Sequence, residues 1–303
     1  MKDKIMTDSG VRDNNSANKS AINTLSDNQF IQYYRQILLP LVGEQGQQNL
    51  LNSHVIVVGV GGLGSHVTQQ LSAAGIGHLY LIDDDLVELS NLPRQILFDA
   101  NSIGKHKAIC AAEKVAAINS DTQLRYFCEK FTHSFAEHLL HSNVELQQAY
   151  QNGQLILLDC SDNMPTRQSI NVWCAAHFIP LISASVAAFS GQLLVVDGQV
   201  APQRGCYNCL FAGNSSPQGC ANLGVLGPSV GVMASMQALT SIKHILKLDT
   251  ELKHLHIFDG LQLSWRQLIR HRDPHCQACG HWPSEPQSQL SKSQKTIQTE
   301  VTL

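Results

Sequence analysis

Gly59, Gly61 and Gly64 stand in G-x-G-x-x-G spacing directly after the apolar run VIVV, with a further glycine at Gly62. Without Cβ atoms, such glycines let backbone N–H groups approach a phosphate at a helix N-terminus, where the macrodipole places roughly half a positive charge. A second apolar run, HLYLI, ends in Asp83, Asp84 and Asp85. Asp83 stands where a carboxylate accepts hydrogen bonds from ribose hydroxyls, so residues 55–85 outline a βαβ nucleotide-binding unit. By itself that outline fits NAD. The cysteines carry a second chemistry: Cys206/Cys209 and Cys276/Cys279 form two C-x-x-C pairs. Four thiolates make a closed tetrahedral set for one structural zinc ion, with no position left for water.

The residues after Asp85 change the nucleotide expected. LVELSNLPRQILF and SIGKHKA bring Asn91, Arg94, Gln95 and Lys107, and DCSDN brings Asp162 and Asn163 after another apolar run. A triphosphate with magnesium carries more charge than a dinucleotide. Arg94 and Lys107 suit its phosphates, and Asp162 suits the metal. Each also has a plainer account. A lone loop arginine is commonly a solvated charge, and Asp162 ahead of NMPTR would serve as a helix N-cap.

These residues need a scaffold that brings them together. FIQYYRQILLP reads as a helix, followed by the βαβ unit. The spacing of Ile109, Ala112, Val115, Ala116 and Ile118 predicts a helix over about 104–119. Residues 123–128 read as a strand, FAEHLLHSNVELQQAY as one helix, QLILLDCSDN as a buried strand and TRQSINVWCAAHF as a helix. Strands PLISASVAA and GQLLVVD, a helix over about 230–246 and the strand HLHIFDG complete the pattern. Alternating strands and helices imply an α/β fold: a Rossmann-like, mainly parallel sheet with flanking helices, plus a C-terminal mixed-sheet part carrying the four cysteines. Ligands then gather beyond the carboxyl ends of the strands, where Asp83 and Asp162 both fall.

Taken in order, GVGGLGS, D-D-D-x-V-x-x-S-N-L-x-R-Q, G-x-x-K, D-C-S-D-N-x-x-x-R, C-Y-x-C-L and the second C-x-x-C resemble the ThiF/MoeB/HesA group, relatives of ubiquitin-activating enzymes, over about residues 28–282. RQILL, SNLPRQILF, DCSDNMPTRQ and GPSVGVMASMQAL resemble the ThiF branch most. The resemblance implies an ATP-dependent adenylyltransferase, activating the C-terminal Gly-Gly carboxylate of a small ubiquitin-like sulfur carrier of the ThiS kind for thiocarboxylate formation in thiamine thiazole biosynthesis. It places Gly59, Gly61, Gly62 and Gly64 at the phosphates, Asp83 at the ribose and Asp162 at magnesium. Asn91, Arg94 and Lys107 lie along the triphosphate, with Asp85, Gln95 and Asn163 in the same site. It also implies a homodimer in which Arg35 reaches the neighbouring subunit's site, a sulfur donor such as a cysteine desulfurase, and a sulfur-linked role for Cys220. Pro93 departs from the group, which usually has Gln in S-N-L-Q-R-Q.

Cys220 sits in the polar, glycine-rich QGCANLGVLGP, unlike Cys110, Cys128, Cys160 and Cys174, which read as small buried hydrophobes. His133, His138 and His141 read as ordinary surface residues, and His275 is not needed as a ligand. The chain has 303 residues, 43% hydrophobic, with a net charge of −3, so neither a broad nucleic-acid-binding surface nor a membrane span is expected. Nine cysteines, an odd count, and an N-terminus without an apolar core argue against a disulfide framework and an export signal, and for the cytoplasm. Residues 1–27 and 283–303 are polar and expected to be disordered, leaving one unit at 28–282: a nucleotide part over about 50–165, then a carrier-binding and zinc part over about 166–282. Three rivals stay open: an NAD-dependent oxidoreductase, a non-catalytic carrier-binding scaffold, and a MoeB-type enzyme serving the molybdopterin-synthase carrier.

Overall fold

The chain enters the fold through helix α1, Asp27–Ile37, whose first turn is closed by a reciprocal capping box between Ser26 and Gln29. The cap places ordered chain slightly ahead of the expected boundary at residue 27. The structure, a computed structural model, describes residues 24–211, 224–250 and 252–286. Cys220, residues 1–23 and residues 287–303 lie outside the described residues.

After α2, Gly43–Leu51, strand β1, His54–Val58, enters the centre of an eight-stranded sheet. All five of its residues are buried, because both faces are covered. Val55 and Val57 point into one core and Ile56 and Val58 into the other, as the two-residue period of a strand requires. Then come α3 (Gly62–Ala73), β2 (His78–Ile82), α4 (Lys107–Ala116) and β3 (Gln123–Phe127). They lead to α5 (His133–Ser142), α6 (Val144–Gln151), β4 (Leu155–Asp159), α7 (Met164–His177), β5 (Leu181–Ala187) and β6 (Ser190–Val196). The short α8, Tyr207–Leu210, the long α9, Gly227–Ile245, and the hairpin of β7, His254–Asp259, with β8, Ser264–Ile269, follow.

The strand order is β3-β2-β1-β4-β5-β6-β7-β8. The first five strands are parallel, and β6, β7 and β8 extend the same sheet with antiparallel pairing. The expected mixed part is therefore a continuation of the parallel sheet. Chain order reverses between β1 and β4, and the crevice beyond their carboxyl ends is the ligand position of a doubly wound sheet.

Four local expectations change. The helix expected over 135–150 is two helices, because the side chain of Asn143 accepts from Leu146 N and caps α6 instead of continuing α5. The helix expected over 104–119 is shorter. It buries Ala108, Cys110, Ala111, Ala112 and Val115, leaving Ile118 exposed past its end. α2 lacked a clear apolar stripe and was not expected; it buries Gly46, Gln47 and Leu50. β8 has five exposed residues of six, so its outer-edge position hid the alternation that marks a half-buried strand.

Candidate nucleotide site and four-thiol cluster

Helix α3 begins on the glycine loop with Gly61 as its cap, which has no side chain to accept from the first turn. The loop's shape explains its glycines, and not all in the way expected. Gly59 has φ +85°, and a Cβ there would lie 2.8 Å from the Cys160 carbonyl oxygen. A Cβ on Gly64 would overlap the Gly59 carbonyl. Both therefore serve backbone packing, the first against the loop after β4 and the second within the turn. Gly61 and Gly62 have room, with the Gln95 Nε2 at 3.4 Å and a Val230 methyl at 3.2 Å from a built Cβ. The backbone is therefore open to close approach at these two and at the first-turn N–H groups.

Asp83, buried at the end of β2, holds this loop. Its Oδ2 accepts from Val60 N at 2.7 Å and its Oδ1 from Asp85 N at 2.9 Å. Burial pushes its carboxyl up, while the charge of Lys107 and those two N–H donors pull it back. Two amides leave part of the acceptor capacity of a carboxylate for hydroxyls. Lys107 is nearly buried and pairs through Nζ with Asp85 Oδ2 at 2.8 Å, Asp85 itself being largely exposed. Lys107 N also donates to Asp85 O, so α4 starts docked on the loop after β2.

The segment 88–95 folds as a 3-10 turn over Leu89–Asn91. Asn91 is buried, accepting from Glu88 N. Arg94 is half-exposed and donates from Nη1 to Ser90 O at 2.8 Å, and Gln95 is buried against Gly61 with its Oε1 unpaired. Pro93, which departs from the group, is exposed, and its carbonyl stands 2.5 Å from a Cβ built on Gly227, so the start of α9 is seated on this segment. His66 of α3 completes the seat: it hydrogen-bonds the Arg94 backbone, and burial holds its imidazole below the usual range.

From the other side comes the loop after β4. Asn163, not Asp162, caps α7, its side chain accepting from Thr166 N at 3.0 Å. The capping account of Asp162 is therefore overturned, and its carboxylate is exposed, meeting only a long contact from Asn163 Nδ2 at 3.4 Å. Beneath the loop lies a network of residues that were not singled out as site residues. Arg167 donates from Nη1 to Asp159 Oδ2 at 2.8 Å and to Ser183 Oγ at 3.0 Å, and from Nη2 to the carbonyls of Ser161 and Ala184. Gln237 of α9 donates to the carbonyls of Asp159 and Ile182 and accepts from the Cys160 thiol. Arg167 stood as the last letter of D-C-S-D-N-x-x-x-R and Gln237 inside GPSVGVMASMQAL, but neither motif showed what the side chain would touch. Arg35 is exposed in the last turn of α1 and takes part in none of these contacts.

The second constellation packs with the core on the sheet face away from α3. The Sγ atoms of Cys206, Cys209, Cys276 and Cys279 all lie within 4.8 Å of one another. Cys206 and Cys276 are 3.7 Å apart and Cys209 and Cys279 3.4 Å, too long for disulfides. They are close to the edge of about 3.8 Å that a tetrahedron with metal–sulfur bonds of about 2.3 Å requires. N–H donors already face the sulfurs: Asn171 Nδ2 to Cys206 at 3.3 Å and Asp273 N to Cys209 at 3.4 Å. Arg270, almost fully buried, ties the carbonyls of Gly205, Val195 and Leu252 around the cluster. The donor set fits a soft or borderline divalent metal.

A mainly parallel sheet with a glycine loop at its switch point, a cation-bearing segment over that loop and a separate four-thiol cluster define a class, the Rossmann-like α/β proteins. Within that class the chain belongs to the ThiF family, whose profile matches residues 33–278. It is 40% identical over 263 residues to the sulfur carrier protein ThiS adenylyltransferase of Escherichia coli (strain K12), covering 86% of this chain and 100% of that protein. It is 34% identical to the sulfur carrier protein adenylyltransferase of Thermus thermophilus, covering 84% and 92%. It is also 38% identical to the adenylyltransferase and sulfurtransferase MOCS3 of Danio rerio, but spans 55% of that protein's length. Among solved structures, E. coli MccB with MccA-N7isoASN superposes with a TM-score of 0.69 at 22% identity, covering 86% of this chain and 76% of that one, a likeness of fold.

Proposed function

We propose that this protein is an ATP-dependent adenylyltransferase acting on the C-terminal Gly-Gly carboxylate of a ThiS-like sulfur carrier. The supporting observation is the match to the E. coli ThiS adenylyltransferase along that enzyme's whole length. The MoeB-type reading is favoured less, since the E. coli ThiS adenylyltransferase is matched at the higher identity, 40% against 38% for the Danio rerio MOCS3. An oxidoreductase reading gives no reason for Arg94, Lys107 and an uncapped, exposed Asp162 around one loop.

In this mechanism an oxygen of the carrier's terminal carboxylate attacks the α-phosphorus of ATP. The new bond joins carboxylate and phosphorus, and the bond to the β-phosphate oxygen breaks to release pyrophosphate. The nucleophile has an ordinary pKa of about 3.3–3.7, so it is already ionised and no general base is needed. The barrier is the meeting of two anions, and the residues act by neutralising and aligning. The first-turn amides of α3, with Gly61 and Gly62, hold phosphate oxygens, and Asp83 takes the ribose. Arg94, held on the Ser90 carbonyl, and Lys107, redirected from Asp85, face the triphosphate, with Asn91, Gln95 and Asn163 beside them. Magnesium fits the exposed carboxylate of Asp162, since it takes one or two carboxylates and completes its shell with phosphate and water, and it would supply further charge neutralisation.

Zinc is the metal we assign to the four thiolates, in a structural role. The same reading makes the protein a cytoplasmic homodimer with Arg35 directed into the neighbour's site. A cysteine desulfurase would act as sulfur donor, and Cys220 would serve sulfur transfer. It divides 28–282 into a nucleotide part and a carrier-binding part on one sheet. Among the described residues no helix is long and apolar enough to cross a membrane. The test is incubation with ATP and a ThiS-like or molybdopterin-synthase carrier, following pyrophosphate exchange and the acyl-adenylate by mass spectrometry. Adenylate on the ThiS-like carrier is expected, with Arg94→Ala lowering exchange by about 100-fold or more at unchanged melting temperature. Stabilisation by NAD but not ATP, with no adenylate on either carrier, would overturn the reading.

A further inference from the structure

His133, Glu137 and His141 follow one another at four-residue spacing on α5, so their side chains share one face of that helix. A third imidazole arrives from α7. His177 Nε2 lies 2.5 Å from Glu137 Oε1, His141 Nε2 3.2 Å from Oε2, and His133 Nε2 3.7 Å from Oε1. Half of this arrangement is held rigidly. Trp173 Nε1 donates to Glu137 Oε1 at 2.9 Å, and the His177 ring is packed by Trp173 and by the edge of Tyr150. The other half is free to adjust, since the side chains of His133 and His141 are more than 60% exposed. Burial alone would push Glu137 up, but the hydrogen bond and charge of His177 bring its carboxyl below the usual range.

We infer that this cluster is a second metal site, for a divalent first-row transition cation, built from Glu137, His177 and His141 with His133 in reserve. The donor set is two or three imidazole nitrogens and one carboxylate, which suits zinc, nickel or copper and not the hard cation of the nucleotide site. His141 and His177 each stand within hydrogen-bond distance of the carboxylate, so the cation would take the place of the protons between them. A modest swing of the exposed His141 ring brings its Nε2 lone pair onto a cation seated against Glu137. Water fills the remaining positions, because the cluster faces solvent. The cation ties α5 to α7, the helix capped by Asn163 next to Asp162. This inference does not depend on the proposed reaction.

The probe is Ni²⁺, titrated into full-length protein carrying one zinc per chain and freed of excess zinc, while tryptophan fluorescence and binding heat are followed. Nickel at Glu137 lies within a few ångströms of the Trp173 indole, so saturable quenching with one equivalent bound is expected. His141→Ala and His177→Gln should each weaken binding by about tenfold or more, as lost ligands do. His138→Ala, an exposed neighbour on the same helix that makes none of these contacts with Glu137, should bind as the parent does. Melting temperature, read without nickel, confirms that each variant is folded. Equal nickel affinity in the parent, His141→Ala and His177→Gln, or binding without tryptophan quenching, would overturn the assignment.

Discussion

Replacing Arg167 by methionine tests whether the loop bearing Asp162 is held from beneath. Asp159 is 1% exposed, and Arg167 is its cationic partner, 2.8 Å away. After the change Asp159 keeps three donors, Ser161 N, Ser161 Oγ and Ser183 Oγ, but no opposing charge. The carbonyls of Ser161 and Ala184 also lose their guanidinium donor. Removing one partner of a buried ion pair costs about 3–5 kcal/mol, a large share of the roughly 5–15 kcal/mol that holds a typical domain. The cost should be read from denaturant unfolding at fixed metal and nucleotide concentrations, since any ligand of the folded state adds to its stability. Adding Asp159→Asn removes the stranded charge, so the double variant should recover at least about 1 kcal/mol relative to Arg167→Met alone. Arg125→Met provides the contrast. Its partner Glu145 is half-exposed, and the change should cost less than about 1 kcal/mol. Were Arg167→Met to unfold no earlier than Arg125→Met, or the Asp159 and Arg167 effects simply to add, the network would not be a coupled support and the reasoning would fail.

Three further outcomes are expected. Gly64→Ala, whose Cβ would overlap the Gly59 carbonyl, should lower stability severely, whereas Gly62→Ala meets only a Val230 methyl and should fold while binding ATP poorly; melting curves with and without ATP separate the two. His54 and His78 stack at 3.9 Å, and burial holds both below the usual imidazole range, His54 at about 3. Because the unfolded chain binds protons more readily, stability should be complete above about pH 6.5 and decline as pH falls toward 3, and His78→Gln should flatten that decline in unfolding measured across pH. Elemental analysis of protein purified without chelator should find one zinc per chain, and Cys276→Ser should lose it with a drop in melting temperature; a metal-free parent of equal stability would remove the thiol cluster from the account.

Much of this architecture was legible in the residues themselves. A strand buried on both faces writes itself as an unbroken apolar run, which is why β1 and β4 were evident, and glycine spacing marks a turn because only backbone geometry is involved. The paired C-x-x-C motifs announced their shared site for a similar reason, since four thiols have few other uses in one chain. Which residue caps α7 was decided elsewhere. Asp162 and Asn163 are equivalent candidates in the sequence, and the seating of the loop on Arg167 gave the cap to Asn163 and left Asp162 facing solvent.

The purpose of individual glycines was likewise settled by packing, Gly59 by the Cys160 carbonyl and Gly64 by the turn itself. Gln237, though inside GPSVGVMASMQAL, and His177 carried no sign of their partners, because each acquires its meaning from a group far away in sequence. Local pattern reports how one segment meets water or a neighbouring turn. The pairing of buried polar groups depends on which faces of distant elements meet, and that exists only once the sheet has brought them together.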